Sequence, residues 1–169
     1  MNSFEKVNPQ ELTIRPAMEQ DTSILLSLIK ELAVFEKLAD KVINSEEAIR
    51  ETLFGPKAYA EAEIAYWENE PVGMVLFFHN YSTFLGKPGL YIEDLFVREK
   101  FRGKGVGKAL FLECVRLARE RKCGRMEWVV LDWNPAREFY EKMGAYPLTD
   151  WVIYRMDEKT LENIGLQPR

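Results

Sequence analysis

The sequence is 169 residues long, 47% apolar and 12% aromatic, with a formal charge of -4 at neutral pH. That length suits one compact domain with a substantial core, and no apolar run reaches the roughly 20 residues that a membrane-spanning helix needs. The acidic balance argues against a broad surface for nucleic acid or anionic lipid and favours a small cationic partner.

In chain order, residues 1–11 read as a polar N-terminal tail, beginning Met-Asn-Ser-Phe-Glu-Lys without the apolar core of a secretory signal. A cytoplasmic protein is therefore expected. Leu12-Thr-Ile-Arg-Pro16 reads as a short strand, after which Asp21 or Thr22 caps a helix to about Glu36. On that helix Ile24, Leu25, Leu28, Ile29, Leu32 and Phe35 recur at helical spacing. Asn44 or Ser45 caps a second helix through Phe54, and Gly55-Pro56 stops it. The runs 60–67 and 71–81 predict a hairpin turning at Asn69-Glu70, and Gly86-Lys-Pro-Gly89 punctuates the chain before a strand over 91–97. His79, the sole histidine, falls near the end of a strand and reads as structural or exposed.

A further helix spans about 108–122, where Cys114 shares a face with Leu110 and Leu117 and reads as a buried thiol. Cys114 and Cys123 are the only cysteines; neither a disulfide framework nor zinc spacing is present, and no metal is expected. Residues 125–131 read as a strand with a nearly continuous apolar run, and Asn134-Pro135 opens a short helix that Gly144 ends. Residues 151–156 predict a last strand, and 158–169 a C-terminal tail. The order describes a mixed α/β (α+β) domain over 12–157, with helices covering a central sheet.

The segment Phe101-Arg-Gly-Lys-Gly-Val-Gly107 lies between a predicted strand and a predicted helix. Glycines at alternate positions let successive N–H groups approach an anion where a helix begins, and Arg102, Lys104 and Lys108 add positive charge. It is not a Walker A loop, because Gly103 and Gly107 enclose three residues and Ala109 follows Lys108. Nor is it a dinucleotide fingerprint, since Lys108 stands where the third glycine belongs. The remaining readings are a pyrophosphate cradle, favoured by Arg102 and the two lysines at a helix start, and a merely flexible glycine turn.

The strand Tyr91-Ile-Glu-Asp-Leu-Phe-Val97, the run Arg102-Gly-Lys-Gly-Val-Gly107, and Leu131-Asp-Trp-Asn134 followed by Phe139-Tyr140 and Gly144-Ala145 resemble the GNAT superfamily of acetyl-CoA-dependent N-acetyltransferases. Within it the chain is similar to the diamine and polyamine group, which includes spermidine/spermine and thialysine acetyltransferases. The resemblance implies a mostly antiparallel sheet with helices on both faces and a strand that splays after Leu95, Phe96 and Val97. Their freed backbone groups would pair with the amide-rich pantetheine arm of acetyl-CoA. The pyrophosphate would rest on Arg102, Gly103, Lys104, Gly105, Val106, Gly107 and Lys108, with Asn134 a further contact. Lys108 reads equally well as a solvated helix residue.

Acetyl transfer to an amine needs a neutral nucleophile, stabilisation of the developing oxyanion, and a proton for the departing thiolate. The resemblance assigns the proton to Tyr140, which periodicity alone would place on an apolar helix face. It assigns Glu93 to the substrate amine, directly or through water; a salt bridge is the alternative reading for a strand carboxylate. Phe35 and Glu36 match the substrate-contacting end of the first helix, where a carboxylate would hold a distal ammonium or simply be solvated. Asn134-Pro-Ala-Arg-Glu-Phe-Tyr140 is one residue shorter than the family's usual pattern, and Leu148-Thr-Asp-Trp151 is shorter than the acidic loop of the spermidine/spermine enzymes. The expected acceptor is a small diamine, polyamine or lysine-like amine, and the family suggests a homodimer. Alternatives are a protein or peptide amine as acceptor, or a non-catalytic acyl-CoA sensor.

Overall fold

The computed structural model describes residues 11–164. The expected N-terminal tail lies outside the described residues except for Glu11, whose carbonyl accepts the Glu68 amide at 2.9 Å. The chain divides into two compact units, one ending at Val129 and one beginning at Val130. Among the described residues no helix is long and apolar enough to cross a membrane.

The first unit contains β1 (Leu12–Pro16), α1 (Thr22–Phe35), α2 (Glu46–Phe54), β2 (Glu61–Trp67), β3 (Glu70–Ser82), β4 (Lys87–Val97), α3 (Val106–Glu120) and β5 (Arg125–Trp128). The strands form one sheet in the order β1-β2-β3-β4-β5. Its first three pairings are antiparallel and β4–β5 is parallel. The β2–β3 turn sits on Glu68 and Asn69, both at positive φ (47° and 70°), the geometry whose twist matches a two-residue hairpin. That is one residue earlier than the sequence suggests. β4 also begins at Lys87 rather than Tyr91, so only Gly86 of the Gly86–Gly89 punctuation belongs to the turn, and β5 stops at Trp128.

Period-2 alternation distributes the strand residues between two covered faces. Ala62, Ile64, Met74 and Phe96 pack with Leu25, Leu28 and Leu32 of α1 and Ile49 of α2. On the other face α3 buries Val106, Leu110, Phe111, Cys114, Leu117 and Ala118, and the Phe111 ring meets Trp128 edge-on at 5.4 Å. Desolvation pushes the Cys114 thiol up to about 12, as expected of a core cysteine.

Two helix starts are built differently. Ser45 caps α2 as expected, its hydroxyl accepting the Ala48 amide at 3.1 Å. Asp21 precedes α1 but does not cap it. Its carboxylate accepts Arg15 at 2.7 and 2.9 Å and the Met18 amide at 2.8 Å, and Arg15 also donates to the Tyr66 hydroxyl at 2.6 Å. The guanidinium holds the Asp21 carboxyl below its ordinary range. This half-buried network ties β1 and β2 to the start of α1.

In the second unit the Asn134 side chain accepts the Ala136 amide at 2.9 Å, starting α4 (Ala136–Lys142). Gly144, at φ 93°, follows it as the left-handed terminator. Two expectations are corrected. Residues 151–156 form no strand: the described part of this unit contains no strand to complete a ladder, and Trp151 and Tyr154 are 77% and 92% exposed. The expected C-terminal tail includes α5 (Glu158–Asn163), capped by Asp157 accepting the Thr160 amide at 2.9 Å.

Glu63 is the anomaly of the core, a carboxylate only 5% exposed on the α3 face of β2. Desolvation first, then the charge of Glu113, raises its carboxyl to about 7. Because the folded chain holds this proton more tightly than the unfolded chain, the associated stability is fully present below the ordinary glutamate range and lost as pH rises through about 7. Glu63→Gln is expected to stabilise the protein by about 2 kcal/mol at pH 8 and negligibly at pH 4. Urea unfolding at both values checks this; equal effects at the two would remove the titration.

Candidate active site

Parallel pairing of β4 to β5 covers only Gly89–Ile92 opposite Arg125–Trp128, while β4 runs on to Val97. From Glu93 onward that edge of β4 has no strand partner among the described residues, so the opening begins before Leu95 rather than after Val97. A bulge lies at the same point. Leu76 pairs with Asp94 and Phe77 with Ile92, leaving Glu93 as the extra residue.

The chain leaves β4 through Arg98, whose guanidinium holds Glu31 of α1 at 2.7 Å and the Pro71 carbonyl at 2.7 Å. A short turn over Glu99–Phe101 buries Phe101 beside Trp67, their ring centroids 6.2 Å apart. Gly103 (φ 76°) and Gly105 (φ 84°) then take left-handed conformations, and Gly105 is the N-cap of α3. With no capping side chain at Gly105, the first turn presents its amide donors and the positive end of the helix dipole. A Cβ added at Gly107 would stand 3.6 Å from Val97 and 4.0 Å from Leu95. The helix start and the opened edge of β4 are thus adjacent.

The basic residues of the loop are already engaged. Arg102 donates to the Val97 carbonyl at 2.9 Å and lies over the Phe35 ring at 4.3 Å and the Phe96 ring at 5.7 Å. Lys104 lies over Trp67 at 5.3 Å and Phe101 at 5.2 Å. The end of α1 is thereby joined to the glycine loop, bringing Phe35 to Arg102.

The carboxylates beside the opening depart from the sequence reading. Glu93, assigned above to the substrate amine or to a salt bridge, is exposed at the bulge. Asp94 is the one held away from water: burial, then the charges of Glu93 and Glu36, push its carboxyl up to about 6. Burial also raises the Glu36 carboxyl. Glu36, Glu93 and Asp94 therefore form one electrostatically coupled group. Asp94 was passed over by the sequence reading, although its place two residues before Phe96, which packs against α1, was a usable signal.

Asn134 and Tyr140 belong to the second unit. Asn134 is the side-chain cap described above, and Tyr140 lies on α4 with its ring centroid 5.4 Å from that of Phe139.

A strand edge opened beside a glycine-capped helix start suits a transferase that holds an acyl carrier by its amide arm and its phosphates. The chain belongs to the Acetyltransferase (GNAT) family, whose model it matches over residues 29–145. It is 36% identical to the thialysine N-epsilon-acetyltransferase of Bos taurus, over 90% of this chain and 96% of that one. It is 39% identical to the Caenorhabditis elegans thialysine N-epsilon-acetyltransferase, over 79% and 84%, and 31% identical to an L-ornithine N5-acetyltransferase of Arabidopsis thaliana, over 89% and 86%. Among solved structures, an integron cassette protein from the mobile metagenome of V. cholerae superposes with a TM-score of 0.76 at 23% identity, covering 90% of this chain and 96% of that one, which shows the fold. The protein is an N-acetyltransferase, and its family uses acetyl-CoA as cosubstrate.

Proposed function

We propose that the protein transfers an acetyl group from acetyl-CoA to a primary amine of a small diamine, polyamine or lysine-like amine by direct attack. The observation that carries the choice of acceptor is the coupled group Glu36, Glu93 and Asp94 beside the opened edge of β4. Three carboxylates sharing one region would hold a second, distal ammonium while the first reacts. The curated relatives named for thialysine and ornithine act on acceptors of this chemistry.

The residues present fit acetyl-CoA. Glycines at 103 and 105 permit the turn, and the first turn of α3 from Val106 to Lys108 offers donors to phosphate oxygens. The backbone of Leu95 and Phe96 would pair with the amide arm; the Val97 carbonyl, bonded to Arg102, would exchange that bond or take no part. When bound, acetyl-CoA supplies the activated acetyl group. Glu93 takes a proton from the acceptor ammonium, directly or through water, so that the neutral amine attacks, while Asp94 and Glu36 anchor the far charge and Phe35 packs on the intervening hydrocarbon. The Tyr140 hydroxyl donates the proton that the departing sulfur requires, and Asn134 contributes a cofactor contact. Residues 12–157 act in this reading as one transferase domain, in a homodimer as the family suggests. Free thiols at Cys114 and Cys123 suit a reducing, cytoplasmic compartment.

The test is CoA release with a panel of diamines, polyamines, thialysine, ornithine and a lysine peptide. Turnover confined to the peptide would overturn the small-amine reading, and saturable CoA binding without any turnover would favour a sensor. Within the panel, Asp94→Asn is expected to raise KM for a diamine about tenfold more than for a monoamine, with Glu36→Gln acting in the same direction. Because Asp94 ionises only above about 6, KM for diamines should rise as pH falls through that value. Equal changes for mono- and diamines would remove the distal anchor.

A further inference from the structure

Away from the opened edge of β4, the first unit holds a cleft of about 290 Å³ where β1 ends against β2. Its apolar walls include Ala17, Leu53, Phe54, Phe77 and Leu117, and its polar lining is Glu61, Glu63, Arg116 and Arg121. Both arginines are paired, and Arg121 lies over the Phe77 ring at 5.6 Å within the cleft lining itself. Arg121 forms a bidentate pair with Glu61, one bond being 2.8 Å, and Arg116 holds Glu113 at 2.9 and 3.0 Å and also Glu120. Glu63 has no hydrogen bond or ion pair among the described residues, although it is 5% exposed and lines the cleft.

The groups around Glu63 are Glu61 on its own strand, Glu113, Cys114 and Arg116 on α3, and Arg121 just beyond that helix. The neighbouring acids would repel an anion, and a neutral guest would leave the carboxylate unpaired. A metal ion would need several oxygen ligands, and no group of three or more His, Cys, Asp or Glu among the described residues is placed to hold one. A cleft with apolar walls, whose other charged lining groups are paired and whose one carboxylate outside an ion pair is Glu63, suits an ammonium on a hydrocarbon chain.

We propose that this cleft is a second binding site, distinct from the acetyl-transfer site, for a short alkylammonium ion whose charged end pairs with Glu63 and whose chain lies against Leu53, Phe54, Phe77 and Leu117. The cleft alone carries this inference, which is independent of the acceptor assigned above. The cleft draws Arg116 and Leu117 from α3, the helix whose first turn faces the opened edge of β4.

The test is calorimetric titration of the CoA-bound full chain with n-butylammonium chloride at pH 8, with potassium chloride as the ionic control. Glu63→Gln is expected to weaken one binding event at least tenfold while leaving kcat/KM for the best amine unchanged. Ala17→Leu, which narrows the cleft without touching its charge, should do the same, and Glu36→Gln should leave the event intact. Lowering pH from 8 to 6 protonates a carboxyl that titrates near about 7 and should weaken that event about tenfold. Unchanged affinity in Glu63→Gln with native circular dichroism would overturn the proposal. So would an event lost only in Glu36→Gln, because the amine would then be in the acetyl-transfer site. Failure of the acetyl-transfer reading would appear as no CoA release from any amine, a result that leaves this titration standing.

Discussion

Tyr140→Phe is expected to lower kcat for amine acetylation about 100-fold or more while changing acetyl-CoA affinity less than twofold. The substitution removes one oxygen and keeps the ring that lies beside Phe139 on α4. A hydroxyl used only when the sulfur departs contributes to the transition state and not to the bound ground state. Steady-state kinetics with calorimetric acetyl-CoA binding separates the two. The pH profile adds a second readout: loss of the general acid should flatten the alkaline limb. A variant with unchanged kcat under chemistry-limited conditions would take the acid role away from Tyr140.

Gly105→Ala should have the next largest effect, raising KM for acetyl-CoA about tenfold while leaving kcat within about twofold. At φ 84° an added Cβ strains the backbone by about 1–2 kcal/mol, and relief of that strain would turn the amide donors of the first α3 turn away from a phosphate. Gly86→Ala provides the control. Gly86 has a similar φ of 63°, with open space where the Cβ would go, and lies in the β3–β4 turn. Both variants should lose comparable thermal stability, and only Gly105→Ala should lose cofactor affinity. Parallel losses of affinity would mean that the loop acts through stability alone.

Most elements were legible because their determinants are local. The helical spacing of leucines and isoleucines, Ser45 as a cap, Gly55-Pro56 as a stop and Asn134 opening a short helix all survive in the structure. The glycine loop was legible for the same reason, since a positive-φ turn before an apolar helix is written in adjacent residues. Residues 151–156 show the limit. Their β-branched and aromatic composition expresses strand propensity, but a strand exists only where another supplies its ladder.

Asp21 illustrates a different limit. Its residue type and position suit a cap, yet the Arg15 guanidinium, reached from β1, captures its carboxylate. Local preference lost to a charged partner that only folding brings within 2.7 Å.

By itself the sequence determined the order of elements from β1 to α4 and the glycine turn before α3, because each depends on neighbours within a few residues. The tertiary structure decided which carboxylates are costly. A bulge exposes Glu93 and leaves Asp94 facing Glu36, and the α3 face of β2 buries Glu63 without a partner. Burial and charge coupling arise between segments far apart in the chain, so strand alternation could nominate these acids but could not rank them.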